Sequence, residues 1–122
     1  MKFSNFIFPE ARDPKRDAEY ISDALDEAKL TEDLGFDGIW LAEHHFDGNC
    51  CYVDPITFAS AVLASTQKLS VGFAVAQLSF HHPIALAEQM SLLDNIAKGR
   101  LIVGIGKGTA YNIYEYDGYG IE

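Results

Sequence analysis

Short apolar runs alternate with longer amphipathic stretches along the whole chain. Phe3-Ser4-Asn5-Phe6-Ile7-Phe8 reads as a short strand closed by Pro9. Through residues 14–34, Ile21, Ala24, Leu25 and Ala28 recur at helical spacing with acids on the opposite side, which predicts an amphipathic helix. Gly35 ends it, because glycine enters the left-handed region without steric cost. Asp37-Gly38-Ile39-Trp40-Leu41-Ala42 is a second strand, apolar on both faces. Asp54-Pro55 opens a helix running to about Gln67, with proline at the first helical position, where its missing N–H is not needed. Leu69 to Leu78 is a third strand. His82-Pro83 opens a third helix that stops at Lys98-Gly99, and Leu101-Ile102-Val103-Gly104-Ile105 is a fourth strand.

The order is βαβαβαβ, with strands starting at residues 3, 37, 69 and 101. Strands apolar on both faces, each followed by a helix, predict a parallel sheet covered by helices. Two architectures share this signature. A doubly wound sheet is complete at about this length, whereas a (β/α)8 barrel takes roughly 250 residues. Periodicity alone does not choose between them.

Both architectures place active sites at the C-terminal ends of the strands. Those ends carry Glu43-His44-His45, the stretch from Gln77 to His82, and Gly106-Lys107-Gly108, while the strands themselves hold almost no titratable residues. The run Gly104-Ile105-Gly106-Lys107-Gly108 is not the dinucleotide fingerprint, which follows a first strand and opens a helix. It is not a P-loop either, since no Gly-Lys-Ser/Thr is present. Bare backbone for a flat ligand and a simple tight turn both remain open. Successive strand residues point to opposite faces, so His44 and His45 do not easily ligate one metal ion. Without a G-x-S-x-G motif, or a base paired with either cysteine, nucleophilic hydrolysis is not expected.

Composition narrows the class further. The 122 residues are 48% hydrophobic and 22% charged, as in one globular domain spanning 1–122. Nine basic against eighteen acidic residues give a net charge of −9, which argues against binding a nucleic-acid backbone. Asp17, Glu19, Asp23, Asp26, Glu27, Glu32 and Asp33 fall in the first helix and read as a solvated face. No run of 18 apolar residues or secretory pattern is seen, so a cytoplasmic protein without a membrane span is expected. Cys50 and Cys51 are adjacent and read as reduced thiols in a loop.

Several blocks then carry a resemblance. Gly35-Phe36-Asp37-Gly38-Ile39-Trp40-Leu41-Ala42-Glu43-His44-His45-Phe46 is similar to the second-strand motif of the bacterial luciferase-like flavin monooxygenases. Val71-Gly72-Phe73-Ala74-Val75 resembles their third strand, and His82-Pro83 through Ala87-Glu88 the start of their third helix. Leu93 to Leu101 resembles the approach to their fourth strand, and Tyr119-Gly120-Ile121-Glu122 the segment beyond it.

The resemblance implies a (β/α)8 barrel of the TIM type, of which these residues supply the first four β/α units, the N-terminal half. It implies reduced FMN as cofactor, with F420 as the alternative, O2 as co-substrate, a small organic substrate and a possible separate flavin reductase. His44 is the implied catalytic residue, acting in proton transfer. Glu43, Ala74, Val75, Gly106, Lys107, Gly108 and Tyr111 are the implied cofactor-binding residues, with a non-prolyl cis peptide at Ala74-Val75. Gly106-Lys107-Gly108 departs from the Cys-Arg-Gly of luciferase itself. The alternatives are a non-catalytic half-barrel that binds flavin weakly or only associates, and an F420-dependent oxidoreductase.

In the third helix, Leu86, Met90, Leu93 and Ala97 form one apolar stripe, and Ala85, Leu92 and Ile96 a second. One stripe packs on a sheet and the other needs a partner. The small residues Ala59, Ser60, Ala61, Ala64 and Ser65 of the second helix permit close approach. Together with the resemblance they imply a homodimer through the second and third helices.

Overall fold

A computed structural model describes residues 1–10, 13–48, 50–109 and 111–121. Four parallel strands form the main sheet in the order β1 (Ser4–Ile7), β2 (Gly38–Leu41), β3 (Ser70–Phe73) and β5 (Leu101–Ile102). A second parallel pair joins β4 (Ala76–Gln77) to β6 (Ile105–Gly106). The helices are α1 (Asp17–Asp33), α2 (Pro55–Ser65), α3 (Pro83–Ala97) and α4 (Ile113–Tyr119). Short 3-10 turns precede α1 and follow β4.

The strands keep their expected places, but the third and fourth are interrupted. The third breaks at the Ala74–Val75 peptide, which is cis, and resumes as β4. The fourth breaks at Val103-Gly104 and resumes as β6, which carries the strand through Gly106. A Cβ on Gly104 would stand 1.9 Å from the Phe73 carbonyl oxygen, so only glycine permits this approach. The Gly104 carbonyl accepts from the Ala76 N–H at 2.9 Å, which joins the two breaks.

Register assigns the two faces. Ile7, Leu41 and Phe73 lie in one row across the sheet, and all are buried beneath the helices. Phe6, Trp40, Gly72 and Ile102 form the neighbouring row on the opposite face. Phe6 and Ile102 are exposed there, and the Trp40 ring covers Gly72, where a Cβ would meet it at 2.5 Å.

Helix ends follow the sequence. Phe36 N–H donates to the Thr31 carbonyl and Gly35 N–H to that of Glu32, with Gly35 at φ +82°, a Schellman stop. The Asp54 carboxylate caps α2 by accepting from the N–H groups of Ile56 and Thr57. Lys98 at φ 54° and Gly99 at φ +84° close α3. Leu86, Leu93 and Ala97 of α3 are buried and Met90 is half-buried against them, while Ala85, Leu92 and Ile96 remain exposed. In the described residues no helix is long and apolar enough to cross a membrane.

Candidate active site

Glu43 lies just beyond β2, buried, with its carboxylate fully engaged. Its Oε1 stands 2.8 Å from Nε2 of His45 and 2.8 Å from Nε2 of His81, and its Oε2 accepts from the Gln77 N–H at 2.6 Å. Gln77 ends β4 and donates through Nε2 to the Glu43 carbonyl at 2.9 Å and to Glu115 Oε2 at 3.1 Å. Glu115, in α4, is 0% exposed and its Oε1 accepts the His45 N–H at 2.7 Å. Two buried carboxylates are thus tied together through one residue, Gln77, whose backbone N–H serves Glu43 and whose side-chain amide serves Glu115, so that each has donors as burial requires. The Gln77 side-chain oxygen is buried and has no hydrogen-bond partner among the described residues, and a Cβ on Gly108 would fall 1.9 Å from it.

His44 and His45 diverge, as their adjacent positions predict. The His44 ring meets Phe8 edge-on at 5.3 Å, with Nδ1 3.2 Å from Asn112 Nδ2 and 3.6 Å from Glu115 Oε1. Its side chain is 31% exposed. His45 turns into an aromatic group with Phe80 and Tyr119, at centroid distances of 5.5 and 5.1 Å. Burial, with Glu43, Asp54 and Glu115 adding negative charge, holds the Tyr119 phenol above its ordinary pKa of 10.

Of the expected cofactor residues, Ala74 is exposed and Val75 half-buried at the strand break. Gly106 sits against Val75, where a Cβ would crowd its side chain at 2.9 Å. Lys107 and Gly108 wall an open cleft of about 600 Å³ with Ile113 and Tyr116 of α4. Tyr111 is exposed, and Glu122 of the closing motif lies outside the described residues. Glu43, His44, Ala74, Val75, Gly106, Lys107 and Gly108 thus all lie beyond or at strand C-terminal ends.

Glu115, Asn112 and Tyr116, all on or beside α4, are not among the residues the sequence singles out, and Tyr119 is marked there only as part of the closing block and not as a site residue. Tyr116 donates from its hydroxyl to the Lys107 carbonyl at 2.6 Å, which holds the glycine loop to the helix. The one available signal was a single acid set between aromatics, Tyr114-Glu115-Tyr116, in an otherwise polar stretch.

A parallel α/β sheet whose titratable side chains gather at the strand C-terminal ends is the layout of the barrel-type α/β enzymes. The chain belongs to the luciferase-like monooxygenase family, whose profile matches residues 1–122. It is 36% identical over 112 residues to the alkanal monooxygenase alpha chain of Photorhabdus laumondii, covering 92% of this chain and 31% of that one. It is 36% identical over 107 residues to limonene 1,2-monooxygenase of Rhodococcus erythropolis, covering 87% and 27%. Among solved structures, a monooxygenase from Streptomyces bottropensis superposes with a TM-score of 0.89 at 31% identity, covering all of this chain and 37% of that one. The fold is shared with the FMN-bound oxygenating constituent of 3,6-diketocamphane monooxygenase from Pseudomonas putida (TM-score 0.82, 21% identity, 94% and 32% covered). It is shared too with an F420-dependent secondary alcohol dehydrogenase (0.73, 23%, 91% and 33%). The chain spans about a third of the length of these relatives.

Proposed function

We propose that residues 1–122 build the first four β/α units of a flavin-dependent monooxygenase that oxidises a small organic substrate with O2. The observation that carries this reading is the convergence of Glu43, His44, His45, Gln77, His81 and Glu115 beside the bare Ala74–Val75 break. The residues present fit a flat ring. Ala74 and Val75 offer an apolar surface, and Gly106 lets the backbone of the fourth strand close directly against Val75 beside it. Ala74, Val75 and Gly106 would hold the ring, with Glu43, Lys107, Gly108 and Tyr111 around its rim. Bound reduced flavin would supply the electrons that activate O2.

The chain's own residues supply the rest. The apolar groups at the mouth exclude water from the reacting atoms. His44, part exposed and braced by Phe8 and Asn112, moves a proton at its ring nitrogen. Reduced FMN is the cofactor we favour and F420 the alternative, with a separate reductase as the source of reduced flavin. A dimer through α2 and α3, in the cytoplasm, completes the reading, with neither nucleic acid nor membrane as partner.

His44→Ala in the full-length protein is expected to abolish oxygenation and to leave flavin affinity unchanged. An unaltered product yield per flavin would sink the assignment. Titration of the chain with reduced FMN, followed by fluorescence, separates this reading from a non-catalytic remnant, for which no binding at millimolar flavin is expected.

A further inference from the structure

Three side chains at the mouth form a hydrogen-bonded line that the role proposed for His44 does not use. Glu43 Oε1 is met by the Nε2 atoms of both His45 and His81 at 2.8 Å. An oxygen shared by two imidazole nitrogens serves both as acceptor, so each ring carries its proton on Nε2. In the neutral ring Nδ1 of His45 then carries a bare lone pair, and the Tyr119 hydroxyl lies 3.3 Å from it. The phenol ring is fixed by stacking on Phe80 at 4.8 Å and 11° and by the edge of His45 at 5.1 Å and 85°. Tyr119 is 44% exposed, whereas the His45 and Glu43 side chains are 11% and 1% exposed. The line runs from an accessible phenol to a buried carboxylate.

We infer that Tyr119, His45 and Glu43 form a proton relay that accepts a proton from a hydroxylic substrate at the phenol oxygen. The substrate O–H bond breaks and its proton bonds to the Tyr119 oxygen as the phenol's own proton passes to His45 Nδ1. Tyr119 is neutral before and after, His45 becomes an imidazolium held against Glu43, and the substrate leaves as the oxyanion. No electrons change hands. The class of substrate that fits is an alcohol or an aldehyde hydrate, with an apolar remainder that the rings of Phe46, Phe80 and Tyr119 can cover.

The inference rests on the monooxygenase reading for its place in a reaction, but its test does not need flavin. Long-range proton–nitrogen correlation spectra of the chain labelled with ¹⁵N-histidine report each ring's tautomer. His45 and His81 are expected as Nε2–H tautomers, and Tyr119→Phe, which removes one exposed oxygen, is expected to move Nδ1 of His45 and leave His81 alone. A proton on Nδ1 of His45, or an Nδ1 indifferent to Tyr119→Phe, overturns the relay. Benzyl alcohol, as the hydroxylic probe, is expected to move Nδ1 of His45 where toluene does not. Equal shifts from both, or none from either, overturn the substrate class. A chain that binds no flavin would still give these spectra, so the two readings fail separately.

Discussion

Glu32 leaves the acidic side of α1 to accept from three consecutive backbone N–H groups, those of Gln67, Lys68 and Leu69. Asp23, Asp26, Glu27 and Asp33 stay on the exposed face, as their spacing predicts, but nothing local distinguishes Glu32 from them because its partners are more than thirty residues away. Burial works upward on its carboxyl pKa, and the three donors with Arg100 outweigh it, so the group lies below its ordinary 4.5. A depressed folded-state value means the stabilisation is complete above the ordinary value and disappears as pH falls through the folded one. The stability gap between the unsubstituted chain and Glu32→Gln, measured in urea, is expected to hold from neutrality to about pH 4.5 and then close. A gap constant down to about pH 3 would contradict this. The adjacent cysteines also part company. Cys50 is buried, its thiol pushed up to about 11 chiefly by desolvation, while Cys51 is half-buried and less raised. Since the thiolate is the nucleophile, iodoacetamide at mildly alkaline pH is expected to label Cys51 well before Cys50, as peptide mapping would show.

The elements with local punctuation were legible. Asp54-Pro55, Gly35 and Lys98-Gly99 mark helix ends within a residue or two of where the chain turns, because caps and left-handed stops are decided by the residues themselves. The breaks in the third and fourth strands were not legible, except where the family resemblance pointed to Ala74-Val75. They arise where Gly104 and Phe73 meet across the sheet, which the continuous apolar runs conceal. Gly104→Ala is expected to destabilise the chain by about 1–3 kcal/mol in urea, since the new methyl collides with backbone that cannot rotate away. An unchanged midpoint would mean that β3 and β5 part without cost. Helix α4 was missed for a different reason. Ile113-Tyr114-Glu115-Tyr116-Asp117-Gly118-Tyr119 has no apolar stripe, and its inner glycine lowers helix propensity. The helix is held from outside, by Glu115 on the His45 N–H, by Tyr116 on the Lys107 carbonyl and by the Phe46 ring, which lies where a Cβ on Gly118 would be. The half of the site that α4 supplies was therefore invisible along with it.

At the scale of the whole molecule, two of the exposed apolar surfaces among the described residues bear on association. Phe6, Ile102 and Ile105 are exposed around the open face and end of the sheet, and Ile84 and Leu92 stand out on the outer side of α3, where Leu92 is 64% exposed. Single exposed apolar residues are ordinary, but a row of them across one face is a candidate contact surface. On α3 the first stripe is spent on the core, which leaves the second open to the partner proposed above, and Ala61, Ala64 and Ser65 of α2 are exposed and small. The open sheet face is the competing contact, since parallel strands with free edges also recruit neighbours. The two are separable by charge. The 122-residue chain at micromolar concentration is expected to scatter light with a mass well above 13.5 kDa, and a mass at that value would refute association. Leu92→Glu places a carboxylate in the middle of the second stripe, where an isologous contact would bring it close to its own copy and to water-poor surface. The variant is therefore expected to shift the mass toward the monomer without altering its helical circular dichroism, because Leu92 is largely exposed to solvent. An unchanged mass would move the contact from α3 to the row of Phe6, Trp40 and Ile102, where Phe6→Glu should then dissociate it.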